Sequence, residues 1–303
     1  MKMHVIRICY VLLLCWGGTG LLAQAGLELG PREVLTHRIR GIETTTYYVS
    51  EAGEVRMSAR ETYRYDLRGN LVAKQVFDVA GDGSYTLEMD FDWSDHSTFR
   101  QLRSSRGSSS VRWQLTYDDE QRLIAEQDDA LGLLRRYRYD AAGRISAILT
   151  SYDAESDPFS VERFSYDAAG RMRVHQHRSE LMVETTRIRY DMAGRRTQVC
   201  HTSTYRVPGE RDKYLCQRFT YDEEGRLRYL DTHDRSGARL RRIVHTYDAE
   251  GQLIERACGP HRLRYLRDAA DRIIEQQRYL GERLIARQRY RYQLWETVPL
   301  AGS

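Results

Sequence analysis

His175 and His177 are separated by one residue, so an extended strand sets both imidazoles on one face, the beginning of a metal site. Such a site needs three or four ligands, and no further His, Cys or carboxylate stands at a recognisable spacing from this pair. They read as strand residues on a wet surface. Ser108, Ser109 and Ser110 offer hydroxyl nucleophiles, but this run, preceded by Arg106-Gly107, reads as a flexible turn between two strands, with no strand-to-helix elbow to follow. Glycine-rich phosphate loops are missing from the sequence, and no order of Ser, His and Asp nominates a triad. The chain reads as a non-enzyme, with no catalytic residue, metal ligand or cofactor assigned.

The thiols carry a sharper inference. Cys200 and Cys216 flank Pro208-Gly209, a strong turn pair. A chain that reverses there sets the two cysteines opposite one another on antiparallel strands, about 4.5 to 5.5 Å apart at Cα and within disulfide reach. A Cys200–Cys216 disulfide is expected, with Cys258 left unpaired. An oxidising compartment would be needed. Lys2 and Arg7 precede an apolar stretch over residues 8–22 that ends in Ala23-Gln24-Ala25, the pattern of a secretory signal peptide over residues 1–25. The mature chain would begin at Gly26, secreted or retained in the cell envelope. The apolar run is shorter than the ~20 residues of a spanning helix, and Cys15 follows Leu14 rather than a small residue, which speaks against lipid attachment.

These residues must be positioned by a phrase that recurs along the chain: apolar, polar, Tyr, Asp, two free positions, Gly, Arg, apolar. It reads Tyr-Arg-Tyr-Asp-Ala-Ala-Gly-Arg-Ile at 137–145, Phe-Ser-Tyr-Asp-Ala-Ala-Gly-Arg-Met at 164–172 and Phe-Thr-Tyr-Asp-Glu-Glu-Gly-Arg-Leu at 219–227. The key aromatics are Tyr65, Trp93, Tyr117, Tyr139, Tyr166, Tyr190, Tyr221, Tyr247 and Tyr265. Their spacing of about 25 residues is too short for a propeller blade and suits two strands with two turns, so each unit is a β-hairpin. Two residues before each key aromatic stands a mostly apolar side chain, with a polar one between, as period two requires.

In Asp-x-x-Gly the Asp can accept bonds from following backbone N–H groups, and the Gly tolerates the positive φ of the bulge that rejoins the strand. Asp140 with Gly143, Asp167 with Gly170, Asp191 with Gly194, Asp222 with Gly225 and Asp248 with Gly251 fit this pattern. A recurring Asp with no matched second carboxylate reads as a turn cap rather than a catalytic acid. The fold class is all-β: tandem hairpins forming one long, twisted antiparallel sheet that can curl.

The phrase resembles that of the RHS or YD-repeat proteins, over roughly residues 47–292. The copies at Trp93, Tyr117 and Tyr265 are degenerate, and Arg196 replaces the usual apolar residue after the turn. The resemblance implies a curling sheet, which in large members wraps into a shell around a toxin-like domain, a place on or outside the cell surface, and carbohydrate binding in some members. Large members resemble shells with a terminal Asp-Pro-x-Gly motif, whereas here Asp157-Pro158 is followed by Phe159. About nine hairpins at ~4.8 Å per strand are expected to make a sheet too short to enclose a domain.

Residues 26–46 read as a lead-in, 47–292 as the repeat array and 293–303 as a tail, with Tyr290, Tyr292 and Leu294 in the last strand. Arg289, Arg291 and Gln293 give that strand a polar face suited to guarding an open edge, and an open edge could also serve self-association. The 47 basic and 43 acidic residues nearly balance, which argues against a nucleic-acid partner. Apart from Lys2, Lys74 and Lys213 every basic residue is Arg, suited to stacking on Tyr and pairing across strands. The leading expectation is a secreted or envelope module that presents a Tyr- and Arg-rich sheet to a polysaccharide or surface protein. The alternative is a structural, encapsulating scaffold that associates with a partner polypeptide.

Overall fold

The computed structural model describes residues 31–67, 71–78, 84–92, 97–104, 107–128 and 132–295. Residues 1–25, Trp93 and the end of the tail lie outside these. A short helix, α1 (Pro31–Thr36), precedes β1 (Ile39–Val49), β2 (Val55–Tyr65), β3 (Leu71–Asp78), β4 (Ser84–Asp92), β5 (Ser97–Ser104), β6 (Gly107–Tyr117) and β7 (Leu123–Asp128). There follow β8 (Leu133–Tyr139), β9 (Ile145–Ser151), β10 (Ser160–Tyr166), β11 (Met172–Ser179), β12 (Met182–Tyr190), β13 (Arg196–Tyr205) and β14 (Lys213–Tyr221). The last are β15 (Leu227–His233), β16 (Arg239–Tyr247), β17 (Leu253–Cys258), β18 (His261–Arg267), β19 (Ile273–Leu280) and β20 (Arg283–Leu294). The sheet therefore begins at Ile39, within the stretch read as a lead-in. Ser108, Ser109 and Ser110 stand in β6, opposite Arg103, Leu102 and Gln101 of β5, and not in a turn.

Each strand runs antiparallel to the next, as a chain of hairpins must. The sheet does not end in two edges. β20 turns back onto β1, with Glu43 opposite Arg291, Thr44 opposite Tyr290 and Tyr48 opposite Ala286, and the 20 strands form one closed ring. This corrects the expectation of an exposed edge for self-association. Arg289, Arg291 and Gln293 are seated against Thr45, Glu43 and Gly41, because closure lets each terminal strand satisfy the other's backbone N–H and C=O groups. Following paired residues once around the ring returns to β1 displaced by roughly 22 residues. For 20 strands this corresponds to a tilt of about 40° and, for a circular section, a radius of about 18 Å.

Strict alternation sorts side chains onto two faces. One carries Tyr63, Leu115, Tyr137, Phe164, Ile188, Phe219, His245 and Leu263, linked strand to strand by the registers. Buried residues concentrate here: Phe164, Ile188, Leu230, Ile243 and Tyr290. The other face carries Arg138, Arg163, Arg187, Arg189 and Arg218, all exposed. Closing a sheet makes side chains converge on the concave side and splay on the convex side, so the tyrosine face lines the interior and the arginine face looks outward. The best-packed core sits at the seam. Val34 of α1 covers Ile39, Ile42, Tyr63, Tyr65 and Tyr290, with Leu71, Ile273 and Tyr292 against them.

Candidate functional site

At the rim where even-numbered strands turn into odd-numbered ones, the repeated phrase makes one device many times. Gly143 N–H donates to the Asp140 carbonyl (2.9 Å) and Asp140 N–H donates to the Arg144 carbonyl (2.8 Å), closing a tight turn. Asp140 Oδ1 accepts the backbone N–H groups of Ala142 (2.9 Å) and Arg144 (3.0 Å), and Oδ2 accepts Arg144 Nε (2.8 Å). That arginine side chain, followed by these backbone donors, holds the Asp140 carboxyl below its ordinary range. Gly143 has φ 74°, the left-handed backbone that Gly adopts freely. The same Asp–Arg clamp recurs at Asp167, Asp191 and Asp222. Asp248 caps Gln252 N–H in the copy closed by Gly251.

Each clamp also reaches the next repeat. The Arg144 guanidinium lies 4.5 Å from the centre of the Tyr166 ring, Arg171 4.7 Å from Tyr190, Arg195 4.7 Å from Tyr221 and Arg226 5.2 Å from Tyr247. The covered tyrosine donates its hydroxyl back to the strand below: Tyr166 to Ile145 O (2.7 Å), Tyr190 to Met172 O (2.9 Å), Tyr221 to Arg196 O (2.8 Å) and Tyr247 to Leu227 O (2.9 Å). Tyr139 donates likewise to Leu123 O, beneath Arg122, which is clamped by Asp118. The ladder reaches the seam, where Arg272 covers Tyr292 and Tyr292 donates to Ile273 O. Tyr139, Tyr166, Tyr190, Tyr221 and Tyr247 are thus cross-braces between turns, each with an arginine over its ring and its hydroxyl engaged within the wall.

Two copies close without glycine. Gln121 (φ 61°) and Asp271 (φ 64°) take the left-handed position in turns capped by Asp118 and Asp268. The last turn also places Arg267 beside its cap, so Tyr265 occupies the position two residues earlier, on the tyrosine face. Tyr65 lies in the seam core, and Tyr117 closes β6 opposite Leu123.

On the concave face, the strands around His175 and His177 supply carboxylates that their spacing in the chain did not reveal. His175 Nε2 is 2.8 Å from Glu162 Oε2, with Phe164 stacked on its ring at 4.6 Å. His177 Nε2 is 2.9 Å from Ser160 Oγ, and its Nδ1 is 3.5 Å from Glu184 Oε2. Hydroxyl, imidazole and carboxylate in that order are the parts of a nucleophilic relay. Glu184, however, also accepts Ser203 Oγ (3.2 Å) and lies 3.4 Å from His201 Nε2. It is the hub of a polar network crossing four strands, not a carboxylate dedicated to one imidazole. Among the described residues no group of three or more His, Cys, Asp or Glu is arranged to hold a metal.

On the convex face, Cys200 and Cys216 are directly opposed across β13 and β14 and joined as a disulfide, with Cα atoms 4.0 Å apart, while Cys258 is free. At the far rim, opposite the Asp turns, a shallow cleft of about 310 Å³ is lined by Phe159, Arg163, Gln176, Arg178 and Arg206, with Asp157 and Glu180 at its lip.

The family model described as RHS Repeat matches residues 117–154. The chain is 29% identical over 293 residues to a protein of Dickeya dadantii (strain 3937) described as "Probable deoxyribonuclease RhsA", covering 92% of this chain and 17% of that protein. It therefore spans about a sixth of that relative's length. Among solved structures, a Photorhabdus luminescens Tc holotoxin pore is similar at 12% identity and a TM-score of 0.39, over 79% of this chain and 16% of that one. A porin-like protein from Bacteroides uniformis is similar at 11% identity and a TM-score of 0.35, over 84% of this chain and 98% of that one.

Proposed function

We propose that this chain, an RHS/YD-repeat protein, is a structural scaffold: a closed wall of hairpins that associates with another polypeptide and carries out no chemistry of its own. The observation that carries this reading is the seam, where β1 and β20 zip the repeat sheet into a ring with no unpaired strand among those described. A radius of about 18 Å leaves, inside the side chains, a lumen wide enough for a helix or an extended segment but not for a folded domain.

The polysaccharide reading loses its main support, because sugar-stacking needs free aromatic faces. The repeat tyrosines from Tyr139 to Tyr247 are covered by arginine and have committed their hydroxyls. Export belongs to the same reading, since the Cys200–Cys216 bond fits an oxidising compartment. The wall itself suits water rather than lipid. Arg138, Arg187 and Arg218 project from the convex face, where lipid contact near mid-membrane would cost about 2–4 kcal/mol each.

Chemical cross-linking in extracts of the producing cell, followed by reciprocal purification from the partner's side, tests the scaffold reading. A single polypeptide recovered at fixed stoichiometry in both directions is expected, together with a mature N-terminus at Gly26. A protein that stays monomeric in those extracts while binding a glycan saturably would overturn the proposal.

A further inference from the structure

Two stretches of the convex face, β8 to β14 and β15 to β20, differ in where their acids lie. Between β15 and β20 three of its arginines are neutralised within the wall: Arg242 grips Asp231 through two bonds (2.7 and 2.8 Å), Arg264 meets Glu255 (2.6 Å) and Arg289 meets Glu275 (2.8 Å). From β8 to β14 the same face carries Arg138, Arg163, Arg178, Arg187, Arg189 and Arg218, every one exposed, and none has an ion-pair partner among the described residues. No Asp or Glu occupies a convex strand position in that stretch; the acids lie on the concave face and at the two rims.

These guanidiniums stand on alternate strands, β8, β10, β12 and β14, with one on β11. The rows are therefore about 10 Å apart. Between them lie half-buried apolar side chains on the same face: Leu149, Val161, Val174, Val183 and Tyr214. The disulfide joins the last two strands of this stretch, with Cys200 opposite Arg187, which stiffens the spacing there. Basic rows separated by apolar furrows differ from a surface made for a uniform polyanion. The acids Asp157 and Glu180 at the lip of the cleft that holds Arg163, Arg178 and Arg206 would repel such a polymer as well.

We propose that the convex face from β8 to β14 is a docking surface for an acidic, partly apolar polypeptide segment whose carboxylates recur about every 10 Å along one side, as in a polyproline II chain of three residues per turn with an acid at every third residue. The chemistry is the one this wall already uses between β15 and β20, where arginine forks hold carboxylates. The proposal rests on the scaffold reading in one respect, that the partner is a polypeptide.

The test uses the purified full chain and a labelled synthetic peptide with Glu at every third position and Pro and Ala between, which holds the polyproline II form. A twin with Gln for Glu is compared, and heparin and duplex DNA serve as competitors. Saturable binding to the Glu peptide is expected. It should fall at least tenfold in Arg187→Glu/Arg189→Glu/Arg218→Glu and in Arg163→Glu/Arg178→Glu, and stay unchanged in Arg235→Glu/Arg283→Glu. Circular dichroism and an intact disulfide by non-reducing mass measurement establish that the variants are folded. Arginine-specific labelling of the unaltered protein gives a second readout, with the six arginines protected by the Glu peptide. Equal binding of the Gln twin, indifference to the substitutions, protection elsewhere, or tighter binding of heparin or DNA to this face would each overturn the proposal. A producing cell with no stoichiometric partner would remove the scaffold reading alone, because peptide binding is read independently of it.

Discussion

Replacing His245 with Phe should make the protein less sensitive to mild acid. His245 occupies the position two residues before Tyr247, where other repeats carry Tyr63, Phe164, Ile188 or Phe219 on the concave face. Its Nδ1 is buried without a hydrogen-bond partner, and its ring is paired across the strands with Arg256. Burial first, and the Arg256 charge second, push its pKa down from 6.5 to about 4. Above pH 6.5 the ring is neutral whether folded or unfolded, and its contribution to stability is complete. As pH falls from 6.5 towards 4 the unfolded chain takes up a proton that the folded chain refuses, and stability is lost; below about 4 both forms are charged and the loss is complete. At about 1.4 kcal/mol per pH unit that gap would be worth about 3 kcal/mol for an enclosed ring, and its partial exposure reduces this to ~1–2 kcal/mol. Urea unfolding at pH 7.5, 6.0 and 4.5 measures the loss for both proteins. The unaltered chain is expected to lose ~1–2 kcal/mol more than His245→Phe across this window. At pH 7.5 the variant should be at least as stable, since the orphaned nitrogen is gone. Parallel pH profiles would show that this ring takes up its proton as readily in the barrel as in the unfolded chain, and the reasoning would fail.

Removing one cross-brace, Tyr190→Phe, deletes the 2.9 Å bond to Met172 O and should cost about 1 kcal/mol in urea unfolding, with secondary structure unchanged by circular dichroism. Gly225→Ala should destabilise more than Gly143→Ala. Both residues have positive φ, and each change costs about 1 kcal/mol or more for that backbone, but only at Gly225 would the new methyl stand 3.0 Å from Arg195 Nη1; equal melting temperatures would contradict this. Opening the disulfide with Cys200→Ser/Cys216→Ser should cost about 2–3 kcal/mol, from the sequence separation of 16 that it closes. Thermal unfolding with and without reductant reads that loss, and no reductant effect is expected in the variant.

The hairpins were legible because their chemistry is local. Asp140 and Gly143 lie within a single turn, and the bonds that close it join residues no more than four apart. The Cys200–Cys216 pairing was legible for the same reason, since one Pro-Gly reversal and period-two pairing bring the two residues opposite. Gln121 and Asp271 hide two such turns because no glycine marks them, and Tyr265 misplaces the last copy because Arg267 stands where a tyrosine usually does.

What only the tertiary structure decided depends on the ring as a whole. A spacing of about 25 residues repeats without recording where the sheet stops, and β1, which lacks the phrase, closes it against a strand more than 200 residues away. The destination of each repeat's arginine, over the tyrosine of the following repeat, emerges only when turns stack along one rim. The meeting of His177 with Ser160 and Glu184 likewise needs neighbouring strands in register. Period two defines two faces from the residues alone, but curvature decides which one is crowded and which one offers unpaired arginines to solvent, because only a closed wall has an inside and an outside.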